Sequence, residues 1–373
     1  MQTLKFHPVK LNQYLIGASL FLISFFMLPS FVSAAPEILA PTPTTISNAE
    51  SVAISGSGFG AKSVALPIKW DNFESGADGD DLAGWSLSSS GGPNPKYSTS
   101  RKHAGSSAGM AQFFGSNYNC SAYMGLNDLS EVYFSYWVFI EHVSGDVSRN
   151  IKTARAVGSV EYKDPNVTMP GMGVTHLNEN PALYYWSPND LNTTSRYPID
   201  HGISVLTLGG WHHIEMYGKA SDVDIANGAI KFWDNGVEAW NKTDAITVTS
   251  QQAPPQSHTY KNFVLPFYVA HDQGGDYNIY YDDVYVDNTQ ARIMLCAGNA
   301  WSNRAHCEIQ NPTAWSDTSS AVTINQGAFL DGTTAYLYVV DENGDVNSSG
   351  YSVTLSGVLD VTAPSAPTGL GVI

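Results

Sequence analysis

Along much of the chain apolar and polar positions alternate with a period of two, in short runs closed by Gly, Pro, Asn or Asp. The runs 131–140, 182–186, 211–219, 228–233, 263–269 and 277–286 read this way, and each predicts a β-strand. Near the start, Ser51-Val52-Ala53-Ile54-Ser55 is a strand that runs into the bend Gly56-Ser57-Gly58-Phe59-Gly60. Near the end, 321–324 is a short strand, and 334–340 pairs with 350–355 across Asp341-Glu342-Asn343-Gly344-Asp345, a hairpin by turn chemistry. No run carries the three-to-four-residue period of a long amphipathic helix. The pattern therefore predicts an all-β protein, and a central stretch of this length fits one sandwich or jelly roll.

Composition narrows this further. Of 373 residues only 14% are charged, against 43% apolar and 12% aromatic, with 33 Gly and 20 Tyr. That balance excludes a disordered chain, a coiled coil and a long-helix bundle. The net charge of −16, with no basic run, excludes double-stranded nucleic acid as a partner, because phosphate binding needs clustered Lys and Arg. Lys5 and Lys10 precede an apolar stretch that closes on Val32-Ser33-Ala34, which reads as a secretory leader over 1–34; an uncleaved anchor is the alternative. Loss of the leader leaves a still more acidic chain, with no other segment apolar enough to cross a bilayer. Export permits disulfides. Cys296 and Cys307 are spaced to close one hairpin, which leaves Cys120 over.

The strand and Ser-Gly-Ser-Gly-Phe-Gly at 55–60 resemble the opening of an IPT/TIG immunoglobulin-like domain, and Trp315-Ser316-Asp317-Thr318 with the 334–355 hairpin resembles its close. Neither piece can bury its own apolar face. Together 37–66 and 292–357 have the size of an immunoglobulin-type sandwich of roughly 100 residues. This implies a split domain with 67–291 inserted after Gly60; three consecutive units are the rival arrangement. The Pro-rich tail, 358–373, resembles the lead-in to a fibronectin type III domain.

A second resemblance covers 67–291. Asn72-Phe73-Glu74-Ser75-Gly76, Gly84-Trp85, Gly210-Trp211-His212-His213-Ile214-Glu215-Met216-Tyr217, Ile230-Lys231-Phe232-Trp233-Asp234-Asn235-Gly236 and Tyr280-Tyr281-Asp282-Asp283-Val284 are similar to motifs of the concanavalin-A-type jelly rolls. That superfamily contains lectins, carbohydrate-binding modules and polysaccharide lyases. The resemblance implies a jelly-roll β-sandwich beside a smaller immunoglobulin-like one. It also implies a structural calcium held by Glu74, Asp282 and Asp283, with Asp71 nearby, since calcium accepts several hard oxygens in loose geometry. Plain surface carboxylates are the alternative.

Within 211–219 the alternation puts Ile214 and Met216 on the core face and His213, Glu215, Tyr217 and Lys219 on the other. If that second face lines the groove of the jelly roll, it offers hydrogen bonds to sugar hydroxyls and the Tyr217 ring for stacking. Lys152, Arg155, Tyr184, Trp186 and His271 are further groove candidates. The leading expectation is a secreted protein that binds a polysaccharide there. A polysaccharide lyase acting by β-elimination is the alternative, with Arg155 or Lys152 neutralising a uronate carboxylate, His213 as base and Tyr217 as acid. The split domain then displays the jelly roll or docks to a larger surface assembly; a purely structural surface or adhesion protein is the third reading. No Glu-x-Asp-x-x-Glu run of a glucanase and no Gly-x-Ser-x-Gly elbow occurs.

Overall fold

A strand buried on one face needs apolar residues only at every second position, and that is how the core is filled. In the strand Glu131–Ser144, the alternate residues Val132, Phe134, Tyr136, Val138 and Ile140 all enter one apolar cluster. Ile214 and Met216 of Trp211–Lys219 enter it too, with Ile279 and Tyr281 of Asp276–Asp287. Residues 34–89, 92–114, 119–145, 150–158, 171–177, 206–248, 259–266, 268–269 and 275–357 are described by this computed structural model. Among them the regular structure is strand throughout, apart from one 3-10 turn at Trp301–Asn303. No helix among them is long and apolar enough to cross a membrane.

Four sheets stack in order. An eight-stranded sheet centres on Glu131–Ser144, with Trp211–Lys219 on one side and Asp276–Asp287 on the other. The short strand Lys69–Asp71 pairs with the far end of Asp276–Asp287, so the first and last strands of the central region are neighbours. A six-stranded sheet, with Asn150–Val157, Tyr260–Leu265 and Cys120–Leu129 in its middle, covers one face of the first. The Phe134, Tyr136 and Phe263 rings fill the space between them. These two sheets form the jelly-roll-type sandwich.

The other sandwich draws on both ends of the described chain. Ser51–Ser57 lies between Glu37–Thr42 and Ser319–Thr323 in a four-stranded sheet, with Val52 opposite Val322. Arg292–Cys296, Thr334–Val340 and Tyr351–Leu355 form the core of a five-stranded sheet. Val52, Ile54 and Phe59 share one apolar cluster with Leu295, Leu337, Val339 and Leu355. Cys296 is disulfide-bonded to Cys307, while Cys120 is a buried free thiol.

The two sandwiches are packed face to face. Met294, Cys296, Cys307, Ile309 and Tyr338 of the five-stranded sheet meet Tyr133, Tyr217, Trp233 and Tyr285 of the eight-stranded sheet in a third cluster. The eight-stranded sheet is therefore covered on both faces over much of its width, and 35–373 makes one compact unit. This decides which sheet face is open to a ligand.

Candidate functional site

The row predicted to line a groove sits instead in the joint between the sandwiches. His213, Glu215 and Tyr217 do point away from Ile214 and Met216, but all three are buried. Each has a partner in the protein, while His213 Nδ1 and Glu215 Oε1 have no hydrogen bond among the described residues. His213 Nε2 lies 2.7 Å from Ser135 Oγ, and the ring stacks on Trp137. Burial, the dominant influence, lowers the His213 pKa to about 4, so the ring is neutral at physiological pH. Glu215 accepts hydrogen bonds from Tyr133 Oη at 2.8 Å and Arg292 Nη2 at 2.9 Å. Burial would raise the Glu215 pKa, but Arg292, His213 and Arg304 outweigh it and bring it down to about 2. Tyr217 donates to Glu131 at 2.9 Å. A carboxylate with an arginine, a neutral imidazole with a hydroxyl, and a phenol with a carboxylate make a buried polar layer, and such layers hold two apolar faces in one register. Lys219 remains at the rim of this joint. With Tyr217, Lys231, Gln290 and Glu342 it borders a cleft of about 620 Å³.

Arg155 and Lys152 lie elsewhere. Ile151, Ala154 and Ala156 face the core of the jelly roll, and a bulge between Lys152 and Ala154 adjusts the register. Lys152 and Arg155 consequently point to the outer face of the six-stranded sheet. There Arg155 stands opposite Val264, and Val264 opposite Tyr123, with Asn262 two residues further on the same face. Burial, followed by the nearby Arg155 charge, lowers the Lys152 pKa to about 8, and burial lowers Arg155 to about 9. Arg155 is thus separated from His213 and Tyr217 by the full thickness of the sandwich. The three groups expected to act together as a lyase triad do not converge, because odd and even positions of different sheets point to opposite sides of one core. Tyr184, Trp186 and His271 lie outside the described residues.

Of the acidic residues expected to hold calcium, Asp282 and Glu74 both accept hydrogen bonds from the 103–107 loop. Asp282 accepts backbone N–H groups from His103 at 2.9 Å and Ala104 at 3.2 Å. Glu74 accepts those of Ser106 at 2.8 Å and Ser107 at 3.0 Å, and the Ser106 hydroxyl. Gly105 between them takes φ +59°, and a Cβ there would meet Glu74 Oε1 at 2.2 Å. Asp283 is buried with φ 47° at the irregularity in the last strand, and its Oδ2 has no hydrogen-bond partner among the described residues. Burial first, then repulsion from neighbouring carboxylates, raises the pKa of Asp283 well above the usual range. Burial raises Asp282 to about 8 against the N–H bonds it accepts. Asp283 is thus an orphaned buried acid beside Asp282. Asp71 does not join them: it accepts from Trp85 Nε1 at 2.7 Å and from the Phe73 N–H.

Two groups were missed in the sequence. Arg292, in Arg292-Ile293-Met294-Leu295-Cys296, and Glu308, between Cys307 and Ile309, are charges set inside apolar strand runs. Such a residue demands a buried partner, and that was the available signal.

Fold and geometry define a two-sandwich, all-β protein with a jelly-roll-type centre. No protein-family model matches the chain, and no curated protein matches it. Among solved structures the chain is similar to an endo-β-1,4-glucuronan lyase from the fungus Trichoderma reesei, at 13% identity over 60% of this chain and 96% of that one, with a TM-score of 0.41. It is also similar to the alginate lyase Aly36B, at 16% identity over 48% and 80%, TM-score 0.37. A third is the cellulose-induced protein Cip1, at 16% identity over 59% and 97%, TM-score 0.36. Likeness at this level says nothing about ligand or reaction.

Proposed function

We propose that the chain is a secreted glycan-recognition protein that binds an acidic polysaccharide on the outer face of the six-stranded sheet. The observation that carries this reading is the placement of Lys152 and Arg155 side by side on that face, with Tyr123 in the same row. Two neighbouring cations attract negative charge, and a uronate carboxylate supplies one at each residue of the polymer. Arg155 presents a planar fork to the carboxylate, Lys152 a point charge, and Tyr123 a ring for stacking on a sugar. The acidic balance of the whole chain does not prevent this, because its field decays over about 8 Å at physiological ionic strength.

A β-eliminating lyase is the second reading, and one feature favours it: a Lys152 amine with a pKa of about 8 is close enough to neutrality to take a proton. In that case Lys152 abstracts the proton beside the carboxylate that Arg155 neutralises, the carbon–oxygen bond to the leaving sugar breaks as the double bond forms, and the leaving oxygen takes a proton from solvent; neither His213 nor Tyr217 takes part. Calcium, where bound, is held by Asp283 with Glu74 and Asp282; the ion then fixes the chain entering the jelly roll against its last strand. The sandwich made from 37–66 and 292–357 is, on this reading, an IPT/TIG-type domain that displays the jelly roll or docks it to a surface assembly.

Affinity electrophoresis through gels of polyuronate and of a neutral glucan tests the reading. Retardation by the polyuronate alone, with no gain in ultraviolet absorbance, supports a binder; growth of absorbance from unsaturated ends establishes the lyase. No retardation and no product in any acidic glycan leaves the third class, a structural protein.

A further inference from the structure

The loop that crosses from the jelly roll towards the five-stranded sheet carries His103, and the edge strand of that sheet, Cys307–Ile309, carries Glu308 with His306 just before it. Their ligating atoms converge. His103 Nε2 is 2.9 Å and His306 Nε2 is 2.8 Å from the same oxygen, Glu308 Oε1, and all three atoms lie within 4.8 Å of one another. His306 Nε2 is buried yet makes no aligned hydrogen bond despite that short approach.

We propose that His103, His306 and Glu308 form a binding site for a zinc-like divalent cation that clamps the two sandwiches together. The donor set is two imidazoles and one carboxylate, which suits zinc and its borderline neighbours and leaves a fourth position for water. Ligands at about 2.0–2.2 Å in a tetrahedron stand roughly 3.3 Å apart. The cluster therefore needs to open by only about half an ångström to admit the ion.

The surroundings are those of a held site. Trp137 Nε1 donates to Glu308 Oε2 at 3.0 Å, and the Ala328 N–H donates to Oε1 at 3.0 Å, so the carboxylate is fixed by its neighbours. Gly327, at φ +55°, makes the room: a Cβ there would meet Glu308 Cδ at 2.0 Å. His103 is stacked on Trp137 at 3.6 Å between ring centres, and His306 packs edge-on against Phe329 at 4.6 Å. Two ring nitrogens aimed at one carboxylate oxygen leave a positive charge as the natural occupant of the space between them. This site is distinct from the calcium position, whose donors are oxygens alone, and it stands whether or not the protein binds glycan.

The test uses the full chain without an affinity tag, stripped with a chelator and titrated calorimetrically with zinc chloride, and in parallel with calcium chloride. The expected result is one equivalent of zinc bound, a higher Tm with zinc, and a loss of zinc affinity of tenfold or more in His306→Ala and in His103→Ala. His306 is partly exposed, so His306→Ala keeps the fold, checked by circular dichroism, and its calcium response stays that of the parent. Cobalt in place of zinc is expected to give the visible absorption of a tetrahedral nitrogen and oxygen site. The proposal is overturned if the parent protein binds no zinc after stripping, if both histidine variants bind it as the parent does, or if calcium displaces it at equal concentration.

Discussion

The two outer faces of the jelly roll carry similar residues and both bury charge, in different company. On the eight-stranded sheet His213, Glu215 and Tyr217 lie under the five-stranded sheet, each tied to a partner within the protein. On the six-stranded sheet Lys152 and Arg155 share a face with Tyr123 and Asn262, and no second sandwich is stacked on that side among the described residues. Chemistry-bearing side chains in a row are therefore as useful for joining two sheets as for holding a ligand. On the first face Glu215 is paired with Arg292; on the second, two like charges, Lys152 and Arg155, are neighbours.

The largest effect that would break this contrast is at Arg292. Arg292→Ala strands Glu215 as a buried, uncompensated charge, and is expected to lower unfolding free energy by about 3–5 kcal/mol in urea titrations. A loss under about 1 kcal/mol would mean that the joint is wet. Next is the disulfide on the same sheet: replacing Cys296 and Cys307 together with Ser is expected to cost about 3 kcal/mol, from closure of a loop of this length in the unfolded chain.

A pH series sharpens the contrast at His213. Its folded pKa of about 4 is below the unfolded value of 6.5, so below pH 6.5 the unfolded chain takes up a proton that the folded one refuses. Its contribution is intact above pH 6.5 and is lost as the pH falls towards 4, by about 2 kcal/mol between pH 6 and pH 4.5. His213→Gln should flatten that part of the curve; an unchanged slope contradicts the burial of a neutral ring. The smallest effect is expected on the other face. Lys152→Ala removes one of two mutually repelling cations, and is expected to shift the unfolding midpoint by less than about 1 kcal/mol, in either direction.

Period-two alternation was enough to read the strands and the pairing of His213, Glu215 and Tyr217 on one face, because a pleated strand leaves no other choice. It was not enough to tell a ligand-facing row from a buried one. Polarity marks the side away from the first core, and only Arg292, 77 residues further along, shows that a second core lies there. The same limit hid the cluster of His103 with His306 and Glu308: the last two are alternate residues at one strand, but His103 lies 205 residues from Glu308. The adjacency of Lys69–Asp71 and Asp276–Asp287 was legible, because first and last strands of a sandwich tend to be neighbours.

The division of labour between the two faces is tested most directly by calorimetric titration of one acidic oligosaccharide into three proteins: the parent, Lys152→Ala with Arg155→Met, and His213→Gln with Tyr217→Phe. Binding that disappears in the first variant and persists at parental strength in the second is the expected result. Binding that survives loss of both cations but vanishes with His213 and Tyr217 would contradict it, and would return the ligand to the face that the terminal sandwich covers.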